Sequence, residues 1–223
     1  MEFLTGVKEK ETIGIREILS GDYVGKTVKM NGAVHNIRDM GEFAFIILRK
    51  AEGLVQCVYE EGKTEFDLKD LKEESAVEVT GVIALEERAP QGFELRLTGI
   101  RVLSEPAETM PIAINKWKMN TSLETRLSLR PVSLRNVRER AKFKIQEGIV
   151  RGFREFLSSQ GFTEVHTPKI VSRGAEGGAN VFKLNYFNKK AELGQSPQFY
   201  KQMMVGVFDR VFEVAPVFRA EKH

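Results

Sequence analysis

Two hydrophobic periodicities divide this chain. From Lys26 to Glu105 the apolar positions fall in short runs rich in β-branched and aromatic residues, as half-buried strands require. The runs occupy 26–41, 42–53, 54–60, 76–87 and 93–105, and turn signals such as Ala51-Glu52-Gly53 and Pro90-Gln91-Gly92 separate them. Between the third and fourth runs, 64–75 is polar with spaced Phe66, Leu68 and Leu71, which predicts a short helix. Phe43 and Phe45 alternate, so they share one side of their strand, and the pattern assigns one of them to the core. Beyond residue 133 the period changes. Val137, Ala141, Phe143, Ile145, Ile149, Val150, Phe153 and Leu157 predict an amphipathic helix that Gly161 stops. Residues 162–171 then read as a short strand interrupted by Pro168, hence an edge or a chain break. A hairpin over 179–187 and 190–195, a helix over 198–208 and a strand over 210–221 complete the pattern.

Five strands with a helix between the third and fourth follow the order of an OB-fold barrel, and other small barrels fit the same strand count. The expected class is α+β and multidomain. An N-terminal five-stranded barrel occupies 1–105, a hinge 106–130, and a mixed α/β segment 131–223. Charge supports the division. Residues 1–110 carry 14 Lys+Arg against 21 Asp+Glu, net −7, whereas residues 111–223 carry 20 against 10, net +10. The stretch around Pro106 and Pro111 has little periodicity and suits a boundary. Trp117 is assigned to packing within that hinge.

At 42% hydrophobic and 29% charged the composition is globular, and no apolar run approaches a bilayer span. The charged N-terminus lacks a signal-peptide core. Cys57 is the only cysteine, set in a strand pattern, and reads as a buried small hydrophobe. Cytoplasmic residence is the expectation. His35, in the first strand, is expected at an edge, His166 as structural, and the role of His223 is left unassigned. No histidine has metal-ligand spacing, so no metal site is expected within the chain. A barrel face that holds RNA needs aromatics for stacking and polar side chains for base edges. Phe45 and Gln56 meet that need, with Arg38 and Arg49 flanking them. The negative charge of this half argues against strong nonspecific nucleic-acid binding.

The helix leading into Gly161-Phe162-Thr163-Glu164-Val165-His166-Thr167-Pro168 resembles motif 1 of the class II aminoacyl-tRNA synthetases. Val217-Phe218-Arg219-Ala220-Glu221 resembles their motif 2. Between them, Gln195-Ser196-Pro197-Gln198-Phe199-Tyr200-Lys201-Gln202 is similar to the amino-acid signature of the aspartyl-tRNA synthetases, and an OB domain in front is the class IIb arrangement. The wording around Arg219 and the Glu-Gly-Gly at 176–178 look like the archaeal-type branch, which some bacteria also use.

This resemblance implies activation of aspartate by ATP and transfer of the aspartyl group to the 3′ end of tRNA(Asp). Arg219 matches the arginine that bridges carboxylate and α-phosphate, and Glu221 the glutamate near ATP and the tRNA end. Lys201 matches the lysine that reads the substrate side chain. Glu176 and Gln195 match acceptors for its ammonium, and Ser196 and Gln198 line the same site. A lysine there selects against asparagine, whose neutral amide would leave the charge unpaired. On the barrel, Phe45 matches the ring that stacks on an anticodon base, Gln56 a polar reader, and Glu94 a further candidate. Ala33 stands where strict archaeal-type enzymes often carry Trp, which implies a relaxed enzyme that also charges tRNA(Asn).

Pro168 belongs to motif 1 and hence to a homodimer interface. In the family, magnesium-binding acidic residues and motif 3 follow motif 2. None is present here, so magnesium ligands are expected beyond residue 223. The expectation is a truncated core within a protein roughly twice this length, unable to form the adenylate alone. Two other classes fit the residues: a noncatalytic tRNA-binding protein, and a ligase that activates aspartate for amide formation.

Overall fold

Alternation along β2 (Phe43–Arg49) and β3 (Leu54–Glu60) sets the barrel interior. Ala44, Ile46 and Leu48 point inward from the first, Val55, Cys57 and Tyr59 from the second. The structure, a computed structural model, describes residues 12–174 and 180–221. With β1 (Thr27–Asp39), β4 (Ala76–Leu85) and β5 (Phe93–Ser104), these strands close in the order β1-β2-β3-β5-β4. Every neighbouring pair is antiparallel except β3 with β5. That order and single parallel pair make the barrel an OB-fold.

A short helix that the pattern did not predict, α1 (Ile15–Ser20), buries Ile15 and Ile18 in the barrel core. The Glu52 carboxylate accepts from the Ile15 N–H at 2.5 Å and satisfies the helix start. Where β4 crosses β5, a side chain on Gly81 would place its Cβ 2.4 Å from the Arg96 carbonyl oxygen, so only glycine allows the register shift there. The helix expected over 64–75 is only a three-residue 3₁₀ turn, Leu68–Asp70. Phe66, Leu68 and Leu71 all dock on the core, and an extended chain spans those three anchor points better than a helix does.

His35 is not at an edge. The β1 register skips between Val34 and Asn36, so Val34 and His35 are both buried, as a bulge allows. The His35 Nδ1 lies 3.2 Å from a guanidinium nitrogen of Arg49. Arg49 in turn donates twice to Glu74, at 2.5 and 2.8 Å, and Arg135 donates to the same carboxylate at 3.0 Å. Burial alone would raise the Glu74 pKa. The bonds from Arg49 and Arg135 outweigh it and hold the carboxyl below its ordinary value. Cys57 is buried as expected, and desolvation, with the Glu94 charge, pushes its thiol pKa well up.

Compact units form over Met1–Glu139 and Arg140–His223. The first includes the segment read as a hinge, which carries two short helices, α2 (Leu123–Ser128) and α3 (Arg130–Ser133). Asn136 anchors this segment. Its buried amide donates to the carbonyls of Ile114 and Lys116, and its Oδ1 accepts from Arg138 and Glu139, the cap of the next helix. Trp117 does not pack the hinge: it is 70% exposed. The long helix α4 (Val137–Ser159) ends where the sequence indicated. Gly161 has φ +76, and the Phe162 N–H reaches back to the Leu157 carbonyl at 3.1 Å.

In the second unit β6 (Thr163–Glu164) pairs with β10 (Val211–Phe212), while β7 (Ile170–Val171), β8 (Lys183–Tyr186) and β9 (Lys189–Leu193) form a sheet in the order β7-β9-β8. Pro168 thus separates two strands that join different sheets. The strand read over 210–221 is shorter than expected, since only Val211 and Phe212 make a ladder. The helix α5 (Gln198–Phe208) matches its predicted span. No described helix is long and apolar enough to cross a membrane.

Glu74→Gln keeps the shape and removes the charge that Arg49 faces, and loss of one partner of a buried pair should lower stability by about 3 kcal/mol. The folded-state pKa is depressed. The contribution is therefore complete above the unfolded carboxyl value and lost as pH falls through the folded one. Urea melts should show wild type losing its advantage over Glu74→Gln as pH falls below the ordinary carboxyl value. Equal midpoints at neutral pH would remove the role given to this carboxylate.

Candidate functional site

Residues that pair directly across strands share a face. Phe45 pairs with Arg38 on β1 and with Val58 on β3, and Gln56 pairs with Ile47 and with Glu94. Arg38, Phe45, Gln56 and Glu94 therefore lie on one outer face of the barrel. Neither phenylalanine is in the core, contrary to the expectation for one of them: the inward positions of β2 belong to Ala44, Ile46 and Leu48. Phe43 and Phe45 meet edge to face, ring centroids 5.4 Å apart.

The Gln56 amide donates to Glu94 at 3.2 Å, and Arg96 Nε donates to the other carboxylate oxygen at 3.3 Å. Glu94 is thus a buried acceptor that orients one amide and one guanidinium. Sequence reasoning missed Arg96, although its place two residues after Glu94 puts both on the same side of β5. Ala33 shares the outer face but pairs with Arg49, four residues along β2 from Phe45, about 13 Å away at strand rise. Arg49 itself is engaged by Glu74.

The second cluster lies in the other unit. Two hydrogen bonds bring the predicted residues together. Phe218 N–H donates to the Gly194 carbonyl, and Ala220 N–H to the Asn180 carbonyl, each at 3.1 Å. Arg219 sits between these two anchors, and Gln195 follows Gly194. The Gln195 amide nitrogen also donates to Asn180 O, at 3.2 Å. Gln195 is 1% exposed, yet its Oε1 meets no donor among the described residues. Buried carbonyl oxygens seldom go unpaired, so this atom fits a ligand N–H. A Cβ on Gly174 would stand 3.2 Å from it, so a side chain there would press on this oxygen.

Ser196 is half-buried beside Gln195. Gln198 and Lys201 sit one turn apart on α5, and the Lys201 N–H is anchored on the Pro197 carbonyl. The side chains of Arg219 and Glu221 are over half exposed and lie 4.0 Å apart. Glu176 lies outside the described residues. Pro168 and His166 are exposed.

One functional support was not foreseen. Glu213 accepts from the Thr167 N–H at 2.8 Å and from Lys169 Nζ at 2.8 Å. Burial would raise its pKa, but these donors prevail and hold it below the ordinary value. The pair ties the segment after β6 to the strand that leads to Arg219.

Residues 122–223 match the family described as tRNA synthetases class II (D, K and N). The second half of this chain is thus similar to that family along its length. Residues 28–103 match the OB-fold nucleic acid binding domain of the tRNA anti-codon type. The chain is 49% identical over 199 residues to the aspartate–tRNA(Asp/Asn) ligase of Deinococcus radiodurans, covering 89% of this chain and 44% of that protein. To the ligase of the same name from Thermus thermophilus it is 45% identical over 201 residues, covering 90% and 46%. The asparaginyl-tRNA synthetase of Pyrococcus horikoshii, solved with asparaginyl-adenylate, superposes with a TM-score of 0.81 at 32% identity, over 91% of this chain and 47% of that one. The chain therefore spans just under half the length of these relatives. It carries an OB-fold barrel followed by the start of a class II synthetase catalytic domain.

The two faces of β2 should respond differently to truncation. Ile46→Ala should cost about 2–5 kcal/mol in urea unfolding, as for buried aliphatics, and Phe45→Ala about 1 kcal/mol, the worth of one edge-to-face contact. Equal losses would place Phe45 in the core.

Proposed function

We propose that the protein is an aspartate–tRNA ligase, which joins L-aspartate to ATP and passes the aspartyl group to tRNA(Asp). The buried Oε1 of Gln195, which meets no donor among the described residues, next to the segment that carries Arg219, is the observation on which this reading rests. Here the α-carboxylate of aspartate attacks the α-phosphorus of ATP and pyrophosphate leaves. The Arg219 guanidinium bridges the two anions and stabilises the charge that builds at the phosphorus. Gln195 Oε1 accepts from the substrate ammonium, with Glu176 as a second acceptor and Ser196 and Gln198 along the wall. Lys201 pairs with the side-chain carboxylate. Glu221 orients ATP and the terminal adenosine of tRNA, whose hydroxyl then attacks the acyl carbon and releases AMP.

Magnesium would neutralise the departing pyrophosphate. On the barrel, Phe45 stacks on an anticodon base while Gln56, held by Glu94, reads a base edge and Arg38 meets the backbone. Ala33 leaves room on the same face, which supports charging of tRNA(Asn) as well, the pair of substrates in the names of the Deinococcus and Thermus relatives. We assign Pro168 to the interface of a homodimer and the enzyme to the cytoplasm.

The natural protein, expressed from its own gene, should show pyrophosphate exchange with ATP that depends on aspartate and not on asparagine. It should charge transcripts of tRNA(Asp) and tRNA(Asn) with aspartate. Arg219→Ala should lower exchange by about 10²–10³, and Lys201→Met should abolish the preference for aspartate over asparagine. Exchange that proceeds equally with asparagine in wild type would overturn the substrate assignment.

A further inference from the structure

The β8–β9 turn combines three features that do not serve folding. Phe187 is 89% exposed, the highest value among the exposed large hydrophobics of the described residues. Its φ is +52, a backbone region that favours glycine, and bulky side chains enter it at a cost. Tyr186 beside it is half exposed, and the two rings meet edge to face at 4.9 Å. A glycine at this two-residue turn would satisfy the backbone and remove an apolar ring from water.

The surroundings indicate what the ring meets. Residues 180–190 contain Lys183, Lys189 and Lys190 and no carboxylate. Lys189 pairs across the hairpin with Tyr186, and Lys190 with Asn185. All three lysines are exposed. Lys183 faces Glu192 across the ladder, whereas Lys189 and Lys190 face no carboxylate there, and an apolar protein surface would gain nothing from those two ammonium groups. A polyanion with flat, unstacked rings matches both the charge and the aromatic pair.

We propose that this hairpin is an RNA-binding element: Phe187, backed by Tyr186, stacks on an unpaired base while Lys189 and Lys190 contact the flanking phosphates. Built on the tRNA ligase reading, this assigns the hairpin to the single-stranded 3′ terminus of tRNA, the anticodon loop being assigned to the barrel. Stacking asks for a free base face, and lysine asks for phosphate, so the contact is independent of base identity.

The test uses the 223-residue chain and two fluorescent RNA minihelices, one with a single-stranded 3′ extension and one blunt, read by anisotropy in low salt. Wild type should bind the extended RNA about tenfold more tightly than the blunt one, the worth of a stacked base. Phe187→Ser should bind both alike, and Lys189→Gln with Lys190→Gln should weaken both and flatten the salt dependence. Circular dichroism and melting of each variant confirm that it folds. If Phe187→Ser retains the tenfold preference, the proposal is wrong. Loss of self-association in Phe187→Ser with RNA binding unchanged would give the ring to a second copy and equally overturn it. A wild-type chain that binds neither minihelix nor an anticodon stem-loop would count against the tRNA ligase reading itself. Binding of the stem-loop alone would count against the hairpin only.

Discussion

A single carboxylate holds the first unit together. Glu74 is buried against the barrel, and two guanidiniums converge on it: Arg49 from the outer face of β2 and Arg135 from just beyond the hinge. Arg49 and Glu74 are both buried and neutralise each other, as a buried carboxylate and a buried guanidinium each require, and the half-exposed Arg135 adds a further bond to the same carboxylate. The residue even takes a left-handed backbone, φ +68, to reach both. One position after Arg135, Asn136 fixes the hinge carbonyls and caps α4, so that the electrostatic clamp and the helix cap act on adjacent residues. Asn115 adds a bond to Glu73. The hinge is therefore a docked strap rather than a loose tether.

That constraint explains how an acidic barrel keeps a usable binding face. The flanking arginine that sequence alone would lend to RNA, Arg49, is spent on structure. What remains outward is a small set of pre-oriented groups: the exposed ring of Phe43 against the half-buried ring of Phe45, Arg38, and the Gln56–Glu94–Arg96 chain. Such a face reads shape and hydrogen-bond pattern rather than charge. The second unit has the opposite balance, net positive with a lysine-rich hairpin.

The barrel was legible because strands advertise themselves locally. Period-two alternation places Phe45 and Gln56 without any knowledge of their partners, and Gly161 marks a helix end by its backbone alone. The misreadings share one cause: the deciding partner is far away in sequence. His35 is drawn inward by a bulge in β1 and by an arginine fourteen residues on. Glu74 and Arg135 are separated by 61 residues, and nothing in either neighbourhood announces the pair. Trp117 was expected inside the hinge on size alone, yet Ile112, Ile114 and Met119 fill that small core. Of the proposed substrate site, the short string 195–202 was readable as a motif. The Gln195 oxygen, which meets no donor among the described residues, was not, because its setting depends on Asn180 and on Gly174.

The lone thiol carries a consequence of its own. Cys57 sits sealed in the barrel interior, and burial keeps it in the protonated, unreactive form. Because no other cysteine competes, any covalent tagging of the chain by an alkylating reagent must wait for the barrel to breathe. The protein thus contains its own stopwatch. The rate at which that sulfur becomes modified measures how often the strands part, a motion that no static view of the fold reveals.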